Sequence, residues 1–228
     1  MLPAGPEDRF GLVFLLLIST FVLDALLVSP RAQGAILLID LAALLLVLRA
    51  TGSGRGAAPV LRAAVSLASV AVVVVALLVP GDTAAAAVDL WLAAVLLATI
   101  VTILQRVLRH RAVTMQTVLG GLCAYLLIGF LFMALYGAAA HLDRGEFFAG
   151  GQPVTSSTLQ YFSFVTMTTT GYGDFTPAGT TARSLAVLEA LCGQIFLVTL
   201  VARLVAMFGQ RRPLPVQPPA ADIPAGDG

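Results

Sequence analysis

Six consecutive residues have the types and spacing needed to bind a cation that has lost its water shell: Thr169, Thr170, Gly171, Tyr172, Gly173 and Asp174. Such a cation needs closely spaced oxygens, and successive backbone carbonyls of a short extended run can supply them. Glycines at alternate positions permit backbone angles that other residues resist. The threonine at the inner end adds a hydroxyl, and the tyrosine can brace the run from behind. Because one copy supplies only part of a ring of oxygens, the run predicts a tetramer.

The T-x-G-Y-G pattern in this run resembles the selectivity filter of the potassium channel family. The resemblance implies that K⁺ is the conducted ion and that its ligands are the carbonyls of Thr169, Thr170, Gly171, Tyr172 and Gly173. It also places the Thr169 hydroxyl at the innermost site and Asp174 at the outer mouth. Some members carry an acidic residue behind the filter, but Val165 stands at that position here, which leaves Tyr161 as a candidate partner for Asp174.

The segment before the run is expected to form a short helix that does not cross the membrane. Ser157 and Gln160 have the types and spacing of a capping box, which predicts that the helix starts there. The apolar run that follows, residues 159–168, is too short to span a bilayer. It suits a re-entrant pore helix, whose C-terminal end carries partial negative charge and favours a cation. Re-entrant backbone requires surrounding protein or a water-filled path.

The composition is that of a membrane protein. Hydrophobic residues make up 59% of the chain and charged residues 11%, far from the average of globular domains. The net charge of +1 gives no reason to expect nucleic acid as a partner. Cys123 and Cys192 lie in apolar runs and are expected to be buried thiols. The absence of lysine, together with abundant alanine and glycine, hints at a prokaryotic source.

Six apolar windows predict an all-α membrane protein with six transmembrane helices. They cover residues 10–28, 34–48, 63–79, 84–104, 118–142 and 182–208. The re-entrant helix and the filter lie between the fifth and sixth windows, and the complete fold is expected to be a homotetramer embedded in lipid. The N-terminus lacks the features of a secretory signal.

Arginine placement predicts the orientation of the chain. With both termini in the cytoplasm, ten of the thirteen arginines lie inside, and only Arg31, Arg144 and Arg183 lie outside. This bias fits the positive-inside rule and predicts a multi-pass protein of the cell membrane. The same topology puts the filter at the outer face, where potassium channels have it.

Three parts are expected along the chain. Residues 1–110 form a four-helix transmembrane domain, residues 111–209 a pore domain, and residues 210–228 a disordered cytoplasmic tail. The fourth window contains Asp89 and no basic residue, so voltage-sensor arginines are lacking and steep voltage dependence is not expected. Asp24 and Asp40 lie within apolar runs, with Arg31 between them as a candidate partner. For these two acids both a structural role and a role in gating stay open.

The last window contains the candidate inner helix. Gly193 lies midway along it, where it could serve as a hinge or permit close packing. One helical face is expected to line the inner cavity through Gln194, Leu197, Val201 and Val205. Glu189 is expected to point elsewhere, as a hydrogen-bonded packing residue, and Arg203 can extend to the inner interface.

The sequence favours passive conduction of K⁺ but leaves two rival functions open. One is a poorly selective cation channel, and the other is the pore subunit of a potassium-uptake transporter. An integral-membrane enzyme is not expected, because the chain has no HExxH motif, no paired cysteines with metal spacing and no nucleophile elbow. No organic cofactor is expected. The sequence indicates neither a gating stimulus nor a regulatory partner.

Overall fold

The computed structural model of the 228-residue chain describes residues 10–26, 67–68, 71–72, 74, 78, 81–109, 115–143 and 145–208. The second predicted window, most of the third, and the tail from residue 210 therefore lie outside the described residues. Asp40, Arg31 and the side chain of Asp24 lie outside them as well. The six-helix count and the assignment of the tail stay predictions.

The described part of the chain is helical. Its helices are α1 (Phe10–Leu26), α2 (Asp82–Arg109), α3 (Met115–Leu142), α4 (Ser156–Met167) and α5 (Thr180–Phe208). Three of these contain spans long and apolar enough to cross a membrane, namely Asp82–Gln105, Thr117–Leu142 and Thr180–Ala206. The apolar part of α1, Val13–Val22, is shorter. These spans confirm the first, fourth, fifth and sixth windows as helical.

Helix α3 is at the centre of the described part and packs against α1, α2, α4 and α5. It runs antiparallel to α2, because Asp89 near the start of α2 lies against Gly137 near the end of α3. A Cβ added to this glycine would lie 2.6 Å from Asp89 Oδ2, so the absence of a side chain permits the close approach. At the other end of the pair, Arg203 of α5 donates a 2.7 Å hydrogen bond to the carbonyl of Val107 in α2. The two contacts connect α2 to the remaining helices at both ends.

Helix α1 packs directly on the segment that carries the candidate filter. The rings of Phe21 and Phe164, the latter in α4, meet edge to face with their centroids 4.8 Å apart. A Cβ at Gly11 would be 3.8 Å from Leu119 of α3. The N-terminal helix therefore supports α4 as well as α3. The domain boundary predicted near residue 110 stays a prediction.

Aromatic rings connect the loops on both sides of α4. Phe148, which is fully buried, lies 5.5 Å from Phe162 of α4 and 5.0 Å from Phe175, measured between ring centroids. Backbone bonds join the same loops, from Ala149 N to the carbonyl of Thr176 at 2.8 Å and from Ala178 N to that of Phe147 at 2.9 Å. Both ends of the segment between α3 and α5 are thereby fixed to one core.

Candidate functional site

Helix α4 begins at a capping box made by two threonines. The amide of Thr158 donates to Thr155 Oγ1 at 3.2 Å, and the amide of Thr155 donates to Thr158 Oγ1 at 2.8 Å. The prediction of a box formed by Ser157 and Gln160 was therefore wrong by two residues. Thr155 has the extended backbone of an N-cap (φ −129°, ψ 163°), whereas the helix already begins at Ser156. Gln160 is instead buried.

The last turn of α4 binds the amides of the residues that follow it. The amide of Thr169 donates to the carbonyl of Thr166 at 2.9 Å, and the amides of Thr170 and Gly171 both donate to the carbonyl of Val165, at 3.0 and 3.4 Å. These amides satisfy carbonyls that a helix end otherwise leaves unpaired. Since the amides point back at α4, the carbonyls of the same residues are left available for other ligands.

The backbone of the candidate filter (residues 169–174) alternates in the sign of φ. Thr169 has φ 56°, Gly171 has φ 53° and Gly173 has φ 81°, while the residues between them have negative φ. Alternation of left-handed and right-handed residues puts successive amides on one side of a chain and their carbonyls on the other. A positive φ is uncommon for threonine, and strained backbone of this kind is concentrated at functional sites. The alternating sign of φ fits the ladder of carbonyl ligands that the sequence predicts.

The candidate filter lies on a free surface of the single chain. All its residues are exposed, and nothing lies within 4 Å of a Cβ built on Gly171 or Gly173. The Tyr172 side chain is 72% exposed, so the brace predicted from this tyrosine is not made within one chain.

The outer end of the candidate filter is fixed by three hydrogen bonds to Asp174. Tyr161 Oη donates to Asp174 Oδ2 at 2.8 Å, Gln152 Nε2 donates to its backbone carbonyl at 2.7 Å, and the amide of Phe175 donates to Oδ1 at 3.1 Å. The expected contact between Tyr161 and Asp174 is thus present. The same hydrogen bond raises the pKa of Tyr161 above its usual value, because loss of the phenol proton would place two negative groups together.

Gly193 lies where α5 crosses the C-terminal end of α4. A Cβ on this glycine would be 2.6 Å from the carbonyl oxygen of Met167 and 2.7 Å from its Cγ. The close crossing therefore needs glycine. Helix α5 runs without interruption through Gly193 in this structure, and a role as a hinge stays a prediction.

Four predicted cavity residues follow Gly193 along α5, and the last of them, Val205, is 65% exposed. Gln194 Nε2 donates a 3.2 Å hydrogen bond to Thr169 Oγ1, which joins α5 to the inner end of the candidate filter. Leu197 and Val201 are 40% and 49% exposed. Their spacing from Gln194 places them on the same side of the helix. That they line a cavity stays a prediction.

Sequence reasoning recognised Glu189 as a packing residue but did not identify its partners. The carboxyl group contacts Tyr136 of α3 and Ser163 of α4, which lie 53 and 26 residues away in sequence. An isolated acid within an apolar helix was the available signal. Nothing local in the sequence points to the two hydroxyls.

Cation binding by this site would rely on carbonyls and hydroxyls. Among the residues that the structure describes, no group of three or more His, Cys, Asp or Glu side chains could hold a metal ion. The ordered backbone oxygens of residues 169–173 and the hydroxyl of Thr169 are the ligands that the candidate filter offers. Oxygen ligands of this kind suit a monovalent cation that must bind and leave quickly.

Comparison with known proteins gives matches in the part of the chain that contains the candidate filter. Residues 120–210, from within α3 to just beyond α5, match a family model described as an ion channel. A stretch of 71 residues is 37% identical to the inward rectifier potassium channel Kirbac3.1 of Paramagnetospirillum magnetotacticum. That alignment covers 31% of this chain and 24% of the relative, so the chain spans about a quarter of that protein's length. No solved structure gave a significant match. This part of the chain is therefore similar to ion channels, and a stretch of 71 residues is similar to a protein named as a potassium channel.

Proposed function

We propose that four copies of this chain form a potassium-selective channel that conducts K⁺ passively through a central pore in the cell membrane. The observation that carries the proposal is the alternating backbone of residues 169–173, whose first amides are bound to the end of α4. The ion channel match over residues 120–210 and the similarity to a protein named as a potassium channel support it.

Selectivity in this proposal comes from replacing water with backbone oxygens. Carbonyls of residues 169–173 and the Thr169 hydroxyl form stacked rings, and ions in adjacent weak sites repel each other and so leave quickly. The C-terminal end of α4 adds partial negative charge near the inner entrance. No chemical bond is made or broken during conduction.

The tetramer is supported by the surfaces that a single chain leaves exposed. The candidate filter and several large apolar residues of α5 have no cover, the latter including Val187, Leu191, Ile195, Val198 and Val205. In a tetramer, these exposed side chains would face lipid, a neighbouring subunit or a water-filled cavity. Residues 111–209 would form the pore domain, with both termini in the cytoplasm as the arginine distribution favours.

A substitution at Gly173 tests the filter assignment. Gly173→Ala adds a methyl group where nothing lies within 4 Å, so its effect comes from the positive φ of 81°, which costs a non-glycine residue about 1–2 kcal/mol. The matched control is Gly145→Ala, in the loop after α3, where space is also open and φ is not positive. In liposomes containing the purified full chain, we expect the first variant to lose K⁺ flux and the control to keep it. Normal flux through Gly173→Ala would overturn the assignment.

Two rival functions give distinct outcomes in the same liposomes. A reversal potential that follows K⁺ and not Na⁺ is expected. A poorly selective cation channel would respond to both ions. A potassium-uptake transporter subunit would require a proton or sodium gradient for flux, whereas passive conduction needs only the K⁺ gradient.

A further inference from the structure

Glu189 is an ionisable residue in the middle of a membrane-spanning helix. It lies in the span Thr180–Ala206, and its side chain is completely buried within the single chain. An ionised carboxylate at such depth is costly unless a cation or several donors compensate it. Which groups surround the carboxyl therefore decides its charge state.

Both oxygens of the carboxyl are in short contacts with hydroxyls from two other helices. Oε2 lies 2.5 Å from the phenolic oxygen of Tyr136 in α3, and Oε1 lies 2.5 Å from Ser163 Oγ in α4. Ser163 Oγ is also 2.7 Å from the backbone carbonyl of Gly129 in α3. Five oxygens thus form a continuous chain from Tyr136 through the Glu189 carboxyl group and Ser163 to the backbone carbonyl of Gly129 in α3.

If Glu189 were ionised, there would be fewer protons than hydrogen bonds among these oxygens. The Tyr136 phenol supplies its own proton to Oε2. Ser163 has a single hydroxyl proton, yet its oxygen is within hydrogen-bond distance of two acceptors, Glu189 Oε1 and the Gly129 carbonyl. With an ionised carboxylate, one of these short contacts would join two oxygens with no proton between them. A proton on Oε1 removes the deficit: Glu189 donates to Ser163, and Ser163 donates to Gly129.

Among the residues that the structure describes, no positively charged side chain lies beside Glu189 to compensate a negative charge on its carboxyl group. From α3, Tyr136 donates to the carboxyl, and Tyr125 is the other phenol on that helix; neither side chain can carry a positive charge. From α4 the facing group is Ser163, while Tyr161 of that helix is engaged with Asp174. The charged residues of α5 are remote, since Arg183 lies six positions before Glu189 and Arg203 fourteen positions after it.

We propose that Glu189 is a neutral carboxylic acid that accepts a hydrogen bond from Tyr136, donates one to Ser163, and thereby fixes the filter-bearing helix α4 to α3 and α5. It is a positioning residue, because it acts on the candidate filter through α4 and does not contact the ion. Ser163 lies one turn before Met167, whose carbonyl meets Gly193. Loss of the proton would disturb the contact between α4 and both neighbouring helices. The charge state of Glu189 does not depend on the proposed function. Of the tests that follow, only the flux measurement rests on the proposed function.

Infrared spectroscopy of the purified full chain at neutral pH tests the protonation directly. A protonated carboxyl has a C=O stretching band that a carboxylate lacks. We expect one such band that Glu189→Gln removes and that Asp143→Asn, a change to an exposed carboxyl at the end of α3, leaves in place. A spectrum that Glu189→Gln does not alter in this region would overturn the proposal.

A second variant keeps the proposal falsifiable if Glu189→Gln fails to fold. Ser163→Ala removes the acceptor of the Glu189 proton but leaves the acid. We expect the C=O band to shift to higher frequency, as that of a carboxylic acid does when it loses a hydrogen bond. A Ser163→Ala protein with a band at the wild-type frequency would contradict the proposed donor–acceptor pair.

Flux measurements test the positioning role. Glutamine can also accept from Tyr136 and donate to Ser163, so we expect Glu189→Gln to keep K⁺ flux within about twofold of wild type. Glu189→Asp, one methylene shorter, cannot reach both hydroxyls and should lose most flux. Wild-type flux should also fall reversibly as the pH is raised and Glu189 loses its proton, and Glu189→Gln should lack this component of the pH response. Equal pH responses of wild type and Glu189→Gln would refute the role.

Discussion

The phenol of Tyr161 donates a 2.8 Å hydrogen bond to the carboxylate of Asp174 and so connects the middle of α4 to the outer end of the candidate filter. The bond joins residues thirteen positions apart in sequence, and the segment between them contains every proposed K⁺ ligand. The phenol is protonated at neutral pH, and because the hydrogen bond raises the pKa of Tyr161 above the usual 10.0, the contact is lost only as the pH rises through the raised value.

Removal of this hydrogen bond should shorten the time for which the filter stays conducting. Tyr161→Phe keeps the ring packed against Phe175, at 5.6 Å between centroids, but removes the donor to Asp174. We expect K⁺ currents of the variant to begin normally and to decay several-fold faster than those of wild type. Single-channel recording measures the decay.

The matched control for this change is Tyr125→Phe. Tyr125 stacks on Phe196 with centroids 6.0 Å apart, and its hydroxyl makes no hydrogen bond among the described residues. This control should decay at the wild-type rate. Equal acceleration in both variants would mean that the loss of any tyrosine hydroxyl loosens the fold, and the contact between Tyr161 and Asp174 would have no special role.

Glycine at position 193 should be needed for assembly because the atom next to it is a backbone oxygen of Met167, which cannot rotate away. In Gly193→Ala the new methyl group would be 2.6 Å from the backbone oxygen of Met167, so α5 must move away from α4. Overpacking of this kind typically costs about 1–3 kcal/mol. We expect a lower unfolding temperature and a smaller fraction of tetramer, measured by thermal denaturation and size-exclusion chromatography.

Gly121→Ala provides a comparison with equal crowding but a flexible neighbour. Its methyl group would be 2.7 Å from Cδ1 of Leu200, at the far end of a side chain that can rotate. The loss of stability should therefore be clearly smaller than for Gly193→Ala. If the two variants are equally destabilised, rigidity of the Met167 backbone is not the cause.

Gln194 and Thr169 should act in opposite directions on the innermost ion site. Gln194 Nε2 donates to Thr169 Oγ1 at 3.2 Å and so competes with an ion for the lone pairs of that oxygen. Gln194→Leu should strengthen block by Ba²⁺ applied from the inner side, whereas Thr169→Ala should weaken it. A neutral hydrogen bond contributes about 0.5–1.5 kcal/mol, which corresponds to a change of about two- to tenfold in the blocking concentration. Changes in the same direction would exclude competition at this hydroxyl.

Sequence reasoning located the helices well where hydropathy alone determines them. The windows 84–104, 118–142 and 182–208 fall within α2, α3 and α5, and the short run before the filter matches α4 within a few residues. Transmembrane helices satisfy their own backbone groups, so an apolar run of sufficient length leaves few alternatives. The assignment of residues 169–173 as filter residues also came from the sequence, through glycines and threonines in a fixed order, and it stays a prediction.

Contacts between distant segments could not be predicted in the same way. The cap of α4 was misplaced because Thr158 serves as the N3 partner that glutamine was expected to provide. The partners of Glu189 are hydroxyls on helices whose rotation the sequence does not specify. The same limit applies to Gly193, whose close contact with Met167 depends on how two helices cross.

The proposed channel should respond weakly to membrane voltage, because no basic residue lies in the first four predicted windows. A charge that crosses the whole field contributes about 2.3 kcal/mol per 100 mV. The span Asp82–Gln105 contains the acidic residues Asp82 and Asp89. Asp89 is held between Gly137 and His141 of α3, 3.8 Å from His141 Nε2, and is not positioned to move through the field. In planar bilayers, we expect open probability to change less than about tenfold per 100 mV, with Asp89→Asn similar to wild type. A steeper curve, lost in Asp89→Asn, would instead identify this aspartate as a gating charge.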